Sequence, residues 1–113
     1  MNFVADYKTD LLKAIETIDL ERVGQAIEWF REAREAGRQA FVCGNGGSAS
    51  TASHFAADMV KGASYQRQKR FRLMALTDSL PTITAYSNDV GYDIVFEEQL
   101  KNFARPSDLV LAI

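Results

Sequence analysis

The chain is short of several things, and each shortage narrows what it is. Cysteine occurs once, histidine once and proline twice among 113 residues. A single cysteine cannot close an internal disulfide, so this is not a stapled secreted module, and Cys43 in its apolar run reads as core rather than as a nucleophile. No apolar run approaches the roughly 18 residues that cross a bilayer. The opening stretch MNFVADYKTD has neither a basic leader nor a following apolar block, so no membrane partner is expected and the cytoplasm is the expected compartment. An excess of positive charge is missing too. The formal net charge is -2, which argues against direct nucleic-acid binding, because phosphate affinity comes from clustered cations. The one basic cluster, Arg67, Lys69, Arg70 and Arg72, reads as a solvated loop, with a local anionic ligand as the second reading. Repeats and low-complexity segments are absent.

What is present is ordinary globular material, 47% apolar, enough for one domain or part of one. Phe3, Tyr7, Leu11, Ile15 and Ile18 step by three or four residues and share one helical face. Asp19 is placed to cap a second helix, with Leu20, Val23, Ile27 and Phe30 as its stripe and Gly37 as its stop. Ala26 and Trp29 lie off that stripe, which implies either a wider core face or a second surface packed on another subunit. After Gly37 the pattern changes. RQAFVCG reads as a buried strand, Ser48 to Lys61 as a helix stopped by Gly62, and Phe71 to Leu76 as a second strand. Ser79 is placed to cap a short helix with Pro81 in its first turn. Asp93 to Phe103 forms another helix, and LVLAI a third strand.

Strands alternating with helices predict parallel crossovers and an α/β sandwich with helices on both faces of the sheet. A strand as apolar as Leu109 to Ile113 is expected to be flanked by others and covered by a following helix. The chain is therefore expected to be the front part of a larger α/β domain. Residues 1–37 form an N-terminal helical pair and residues 38–113 the first part of that domain.

Between the first strand and its helix, Gly44, Gly46, Gly47, Ser48 and Ser50 crowd into a few positions. In parallel sheets such a loop lies where ligands bind. Bare glycines let backbone N–H groups converge on an anion, the helix N-terminus adds positive dipole, and serines add hydroxyls. The loop is built to cradle a phosphate or a polyol; the plain alternative is a tight turn with Ser48 as helix cap. A P-loop is excluded because no Lys-Ser/Thr pair follows the glycines. The dinucleotide pattern is formally met by Gly44, Gly46 and Ala49. The acidic residue it needs at the end of a second strand is replaced by the basic YQRQKR, so no nucleotide cofactor is expected.

GNGGSASTASHFAADMV, Gly44 to Val60, resembles the first glycine-serine loop and helix of sugar isomerase (SIS) domains, in particular those of sedoheptulose 7-phosphate isomerases, also called phosphoheptose isomerases. SNDVGYD, Ser87 to Asp93, looks like that family's Asn-Asp loop, and two amphipathic helices precede the first strand in the family as here. The resemblance implies a flavodoxin-like three-layer sandwich and a homotetramer bundled through its N-terminal helices. It also implies a sugar-phosphate site shared between subunits. By position it implies substrate contacts from Asn45, Gly46, Gly47, Ser48, Asn88 and Asp89. His54 matches a histidine that binds zinc in some members. Asp58 stands where the family's isomerases carry a glutamate that is the catalytic base and also a metal ligand, so zinc held by His54 and Asp58 is the implied cofactor. The family's second histidine and its serine-rich second loop have no counterpart in these residues.

The residues can also be weighed without the resemblance. Interconverting a ketose and an aldose moves a proton between neighbouring carbons through an enediol, which needs a positioned base and a partner for the developing oxyanion. His54 and Asp58 are four apart, one helical turn, and face one way. Ser50 extends the ladder, but a hydrolase triad gathers its members from separate elements, so that reading is set aside. Two functions follow as expectations. The first is a phosphosugar isomerase with Asp58 as base. The alternative is a non-catalytic SIS-domain protein that grips a partner such as a replication initiator.

Overall fold

The computed structural model of the chain describes residues 2–113. Helix α1 (Phe3–Glu16) starts where the Asn2 side chain accepts the Ala5 N–H, and α2 (Leu20–Glu35) starts where Asp19 accepts the N–H groups of Glu21 and Arg22 at 3.1 Å. Both caps satisfy donors that a helix leaves unpaired. Gly37, at a φ of +66°, ends α2. The Arg38 N–H reaches back to the Ala33 carbonyl at 2.8 Å, the Schellman closure.

The rest is a parallel sheet with helices on both sides. Strand β1 (Gln39–Cys43) leads into α3 (Gly47–Ala57) and a π-helical turn (Asp58–Gly62), then β2 (Arg72–Ala75). Helix α4 (Leu80–Asp89), a 3-10 turn (Tyr92–Ile94) and α5 (Val95–Phe103) return the chain to β3 (Leu109–Ala112). The strand order is β2-β1-β3, all parallel, with Phe41 opposite both Met74 and Val110. This is the predicted α/β sandwich.

Alternation along β1 divides the core between two faces. Ala40 and Val42 pack with Ala52, Ala56, Leu73 and Ala75 beneath α2 and α3, closed in by Phe30, Phe55 and Met59. Phe41 and Cys43 face the other way, with Leu76, against Phe96 and Leu100 of α5. Phe41, Val42 and Leu76 are fully buried. Gln99 fastens α5 to the end of β2, its amide donating to the Leu76 carbonyl at 3.0 Å. On the other face buried Ser64 ties the π turn to β2, donating to the Met59 carbonyl at 2.7 Å and accepting the Phe71 N–H at 2.9 Å.

The N-terminal pair behaves differently. Helix α1 buries none of its residues. The Cα radius of gyration is 17.1 Å, against about 13 Å for a compact chain of this length. The excess reflects α1 standing away from the sheet.

Three expectations need correction. Of the α2 stripe only Phe30 reaches the core, with Ala26 and Ala33 beside it, whereas Leu20, Val23 and Ile27 stay exposed, Val23 and Ile27 bordering an apolar hollow with Phe55, Met59 and Leu111. Trp29 is exposed in the chain, so the core face is not widened on its side. The presumed Asn-Asp loop is half helix: Ser87, Asn88 and Asp89 form the last turn of α4, where the Ser87 hydroxyl donates to the Ile83 carbonyl at 2.6 Å. Val90 and Gly91 then both donate to the Tyr86 carbonyl and end the helix. Arg67, Lys69, Arg70 and Arg72 are all exposed, in keeping with the reading of a solvated loop. Lys69 reaches the Glu35 carbonyl, and Arg72 goes to the entrance of β2.

Candidate functional site

The chain leaves β1 in one direction to form β2 and later crosses to the other side to form β3. The carboxyl ends of β1 and β3 therefore flank the topological switch point, where open parallel sheets form a ligand crevice. The loop that fills it is Gly44 to Gly47. Gly44 is buried, and a Cβ there would lie 2.6 Å from the Ser48 carbonyl oxygen. Gly46 holds a φ of +56°. The fold thus requires two of the three glycines, one by crowding and one by torsion. Gly47 has open space around its missing Cβ, so nothing in the chain itself demands a glycine there.

Helix α3 begins at Gly47 with Gly46 as N-cap and no side-chain cap, so Ser48 lies in the first turn and is not the cap. Ser48 N–H goes to the Asn45 carbonyl and Ala49 N–H to that of Gly46. The N–H groups of Gly46 and Gly47 have no partner among the described residues. They are exposed, adjacent, and at the positive end of the helix dipole.

Two further groups border this loop. The Tyr92 hydroxyl donates to Asn45 Oδ1, joining the glycine loop to the segment after α4. With Oδ1 occupied, the Asn45 amide presents its Nδ2–H donors outward. Asn88 donates to Asp89 Oδ1 at 2.9 Å. Sequence reasoning missed Tyr92, although it lies inside the quoted SNDVGYD; only the fold reveals that its hydroxyl returns to the loop. It also missed Ser53, whose hydroxyl meets Thr77 Oγ1 at 2.8 Å and Asp78 Oδ1 at 2.5 Å, locking α3 to the end of β2.

His54 and Asp58 stand as the spacing predicts, Nε2 to Oδ1 at 3.5 Å on one face of α3, and both are exposed. At about 1.5 Å of rise per residue they lie roughly 10 and 16 Å along the axis from Gly47. The chain therefore brings Asn45, Gly46, Gly47 and Tyr92 together at the loop, while the His54–Asp58 pair is a second cluster farther along the same helix. Asp58 also begins the π turn, its carbonyl accepting the Ala63 N–H at 2.9 Å; such turns are frequent at functional sites. A catalytic zinc takes three protein ligands. Among the described residues no three His, Cys, Asp or Glu side chains converge on a metal position, so His54 and Asp58 alone do not complete a zinc site. Cys43, at the mouth of β1, is buried, and that burial pushes its thiol above the ordinary range. No described helix is long and apolar enough to cross a membrane.

Known proteins are similar to this chain in sequence and fold. A probable phosphoheptose isomerase of Thermoplasma volcanium is 37% identical over 110 residues, covering 97% of this chain and 56% of that protein. The lincomycin biosynthesis protein LmbN of Streptomyces lincolnensis is 38% identical over 98 residues, covering 85% of this chain and 36% of LmbN. Among solved structures, phosphoheptose isomerase GmhA from Neisseria gonorrhoeae superposes with a TM-score of 0.83 at 33% identity, over 96% of this chain and 57% of GmhA. The chain thus spans little more than half the length of these isomerases. A family model described as SIS domain matches residues 3–113, and with the parallel sheet, the glycine loop at its switch point and these relatives in hand, the chain belongs to the SIS domain family.

Proposed function

We propose that this chain forms the sugar-phosphate-binding front of a phosphosugar isomerase, with sedoheptulose 7-phosphate as the ketose and glycero-manno-heptose 7-phosphate as the aldose. The observation that carries the reading is the loop at the switch point: two unpartnered N–H groups, the outward amide of Asn45, and a glycine at position 47 that the fold does not itself require. A ligand lying against the backbone is what would require it. Ser48 supplies a hydroxyl beside the loop, and Asn88 and Asp89 supply polar groups for the sugar.

In this reading Asp58 is the base. Its carboxylate takes the proton from C1 of the ketose, the enediol forms, and the proton returns to C2 while the hydroxyl proton on O1 passes to O2. The carboxylate is regenerated. Since Asp58 is exposed and lies about 16 Å along α3 from Gly47, a covering surface is needed to exclude water from the sugar and to set another copy's Asp58 against it. A second copy supplies it, assembled through the helical pair of residues 1–37 into a homotetramer. The exposed apolar face of α1 supports that assembly, and the cytoplasm is its proposed compartment.

The test uses protein expressed from its complete gene. Asp58→Asn keeps shape but removes proton transfer, so turnover should fall about 10²-fold or more while sugar-phosphate affinity changes little. Asp58→Glu should keep or raise the rate, because it lengthens the reach of the carboxylate by about one methylene. An unchanged rate in Asp58→Asn would remove Asp58 from the mechanism.

A further inference from the structure

The end of the sheet opposite the glycine loop carries a second concavity. Arg38 immediately precedes β1, Arg72 is the first residue of β2, and Arg105 lies in the turn before β3. In a parallel sheet these entrances share one end, and Arg72 is in register with Gln39, the neighbour of Arg38. All three arginines line one cavity of about 560 Å³, together with Asn102, Phe103 and Asp108. That volume is in the range of small-molecule sites.

The charges on this wall are not balanced. Among the described residues none of the three guanidiniums has an ion-pair or hydrogen-bond partner, whereas Arg22, Arg31 and Arg34 each hold a carboxylate. Asp108 is the one acid on the wall, and both of its oxygens are committed to backbone: Oδ1 accepts the Gln39 N–H at 3.1 Å and Oδ2 the Arg105 N–H at 2.8 Å. It therefore fastens the Arg105 turn to the start of β1 and leaves the guanidinium forks free. The chain has 15 acidic against 13 basic residues, so carboxylates are not scarce; they are simply not placed here. Like charges gathered around one hollow repel unless an anion joins them. Guanidinium forks match phosphate oxygens two at a time.

We infer that this cavity binds a small molecule carrying a diphosphate group, at a site separate from the glycine loop. The three arginines outweigh Asp108 by two positive charges, which calls for a polyanion, and three forks that each engage two oxygens are matched more fully by the terminal oxygens of a diphosphate than by those of a single phosphate. The inference does not depend on the isomerase reading, because none of these residues belongs to the loop or to the His54–Asp58 pair.

Inorganic pyrophosphate is the probe. Titrated calorimetrically into the protein at low salt, it should bind saturably, and binding should weaken as salt is raised. Arg38→Gln, Arg72→Gln and Arg105→Gln should each weaken it by about tenfold, and the triple variant should abolish it. Arg67→Gln, an exposed cation outside the cavity, should leave it unchanged. Backbone amide shifts on titration should concentrate at residues 37–39, 72 and 104–108. Absence of saturable binding would overturn the inference, as would binding indifferent to the three arginines or shifts confined to Gly46 to Ser50.

Discussion

Helix α1 and strand β1 are both predominantly apolar in pattern, yet they end in opposite environments. Every residue of β1 from Ala40 to Cys43 is buried, while α1 buries none and leaves Phe3 at 77% and Tyr7 at 63% exposure. The difference lies in what each can reach. Strand β1 is central, paired on both edges and covered on both faces, so alternate side chains find partners within its own chain. An amphipathic stripe on α1 only states that something must cover it, and the sheet is already occupied by α2 and α3. Periodicity therefore reports an unsatisfied face and is silent about who satisfies it.

The contrast can be broken most severely at the strand. Phe41→Ala removes a fully buried ring between β1 and α5 and should cost about 3–5 kcal/mol in chemical denaturation. A loss below about 1 kcal/mol would mean that this face of the sheet is not packed as described. At α1 the same logic predicts a change of assembly and not of subunit folding. Leu11→Glu with Ile15→Glu should weaken self-association by about 10²-fold, seen by light scattering across a dilution series, while the helix content in circular dichroism stays. A monomeric wild-type protein at micromolar concentration would show that no copy covers α1.

The smallest effect is expected at Cys43, at the end of β1. Burial raises its folded pKa, so the neutral thiol is the favoured form. Its contribution to stability is complete below the unfolded value of about 8.5 and is lost as pH rises through the folded value. Alkaline denaturation midpoints should fall less steeply for Cys43→Ala than for the parent, and a thiol reagent at pH 8 should label native Cys43 at least about tenfold more slowly than the urea-unfolded chain. Equal labelling rates would place the end of β1 in solvent.

Much of this was legible in sequence because the signals were local. Asp19 as cap, Gly37 as stop, the apolar run of β1 and the four-residue ladder of His54 and Asp58 each depend on neighbours within about one helical turn. Other features depend on tertiary distance. Which residues of α2 meet the sheet is one: of the apolar stripe Phe30 reaches the core, with Ala26 and Ala33 beside it, and the periodicity does not say how far along the helix that contact extends. Tyr92 and Asn45 are 47 positions apart, and the arginines of the second cavity come from three separate strand entrances. The glycine loop was recognisable as the connection between β1 and α3, but the sequence did not separate the glycines that the backbone needs from the one it leaves free. Nor did it place the His54–Asp58 pair away from the loop along α3, because a ladder fixes side chains relative to each other and not to the rest of the site.

The π turn at Asp58–Gly62 has a consequence of phase. A helix turns about 100° per residue, and a π turn absorbs one residue beyond the α count, so side chains after it are rotated relative to those before it. The phase of α3 serves Ala52, Ala56 and the His54–Asp58 face; the shifted phase delivers Ser64 to its buried post between the Met59 carbonyl and the Phe71 N–H. One chain segment thus meets two angular demands that an unbroken α-helix would set against each other. Between Met59 and Gly62 it is the number of residues, more than their identity, that carries the structural information: removing one would straighten the helix and swing Ser64 away from the strand it anchors.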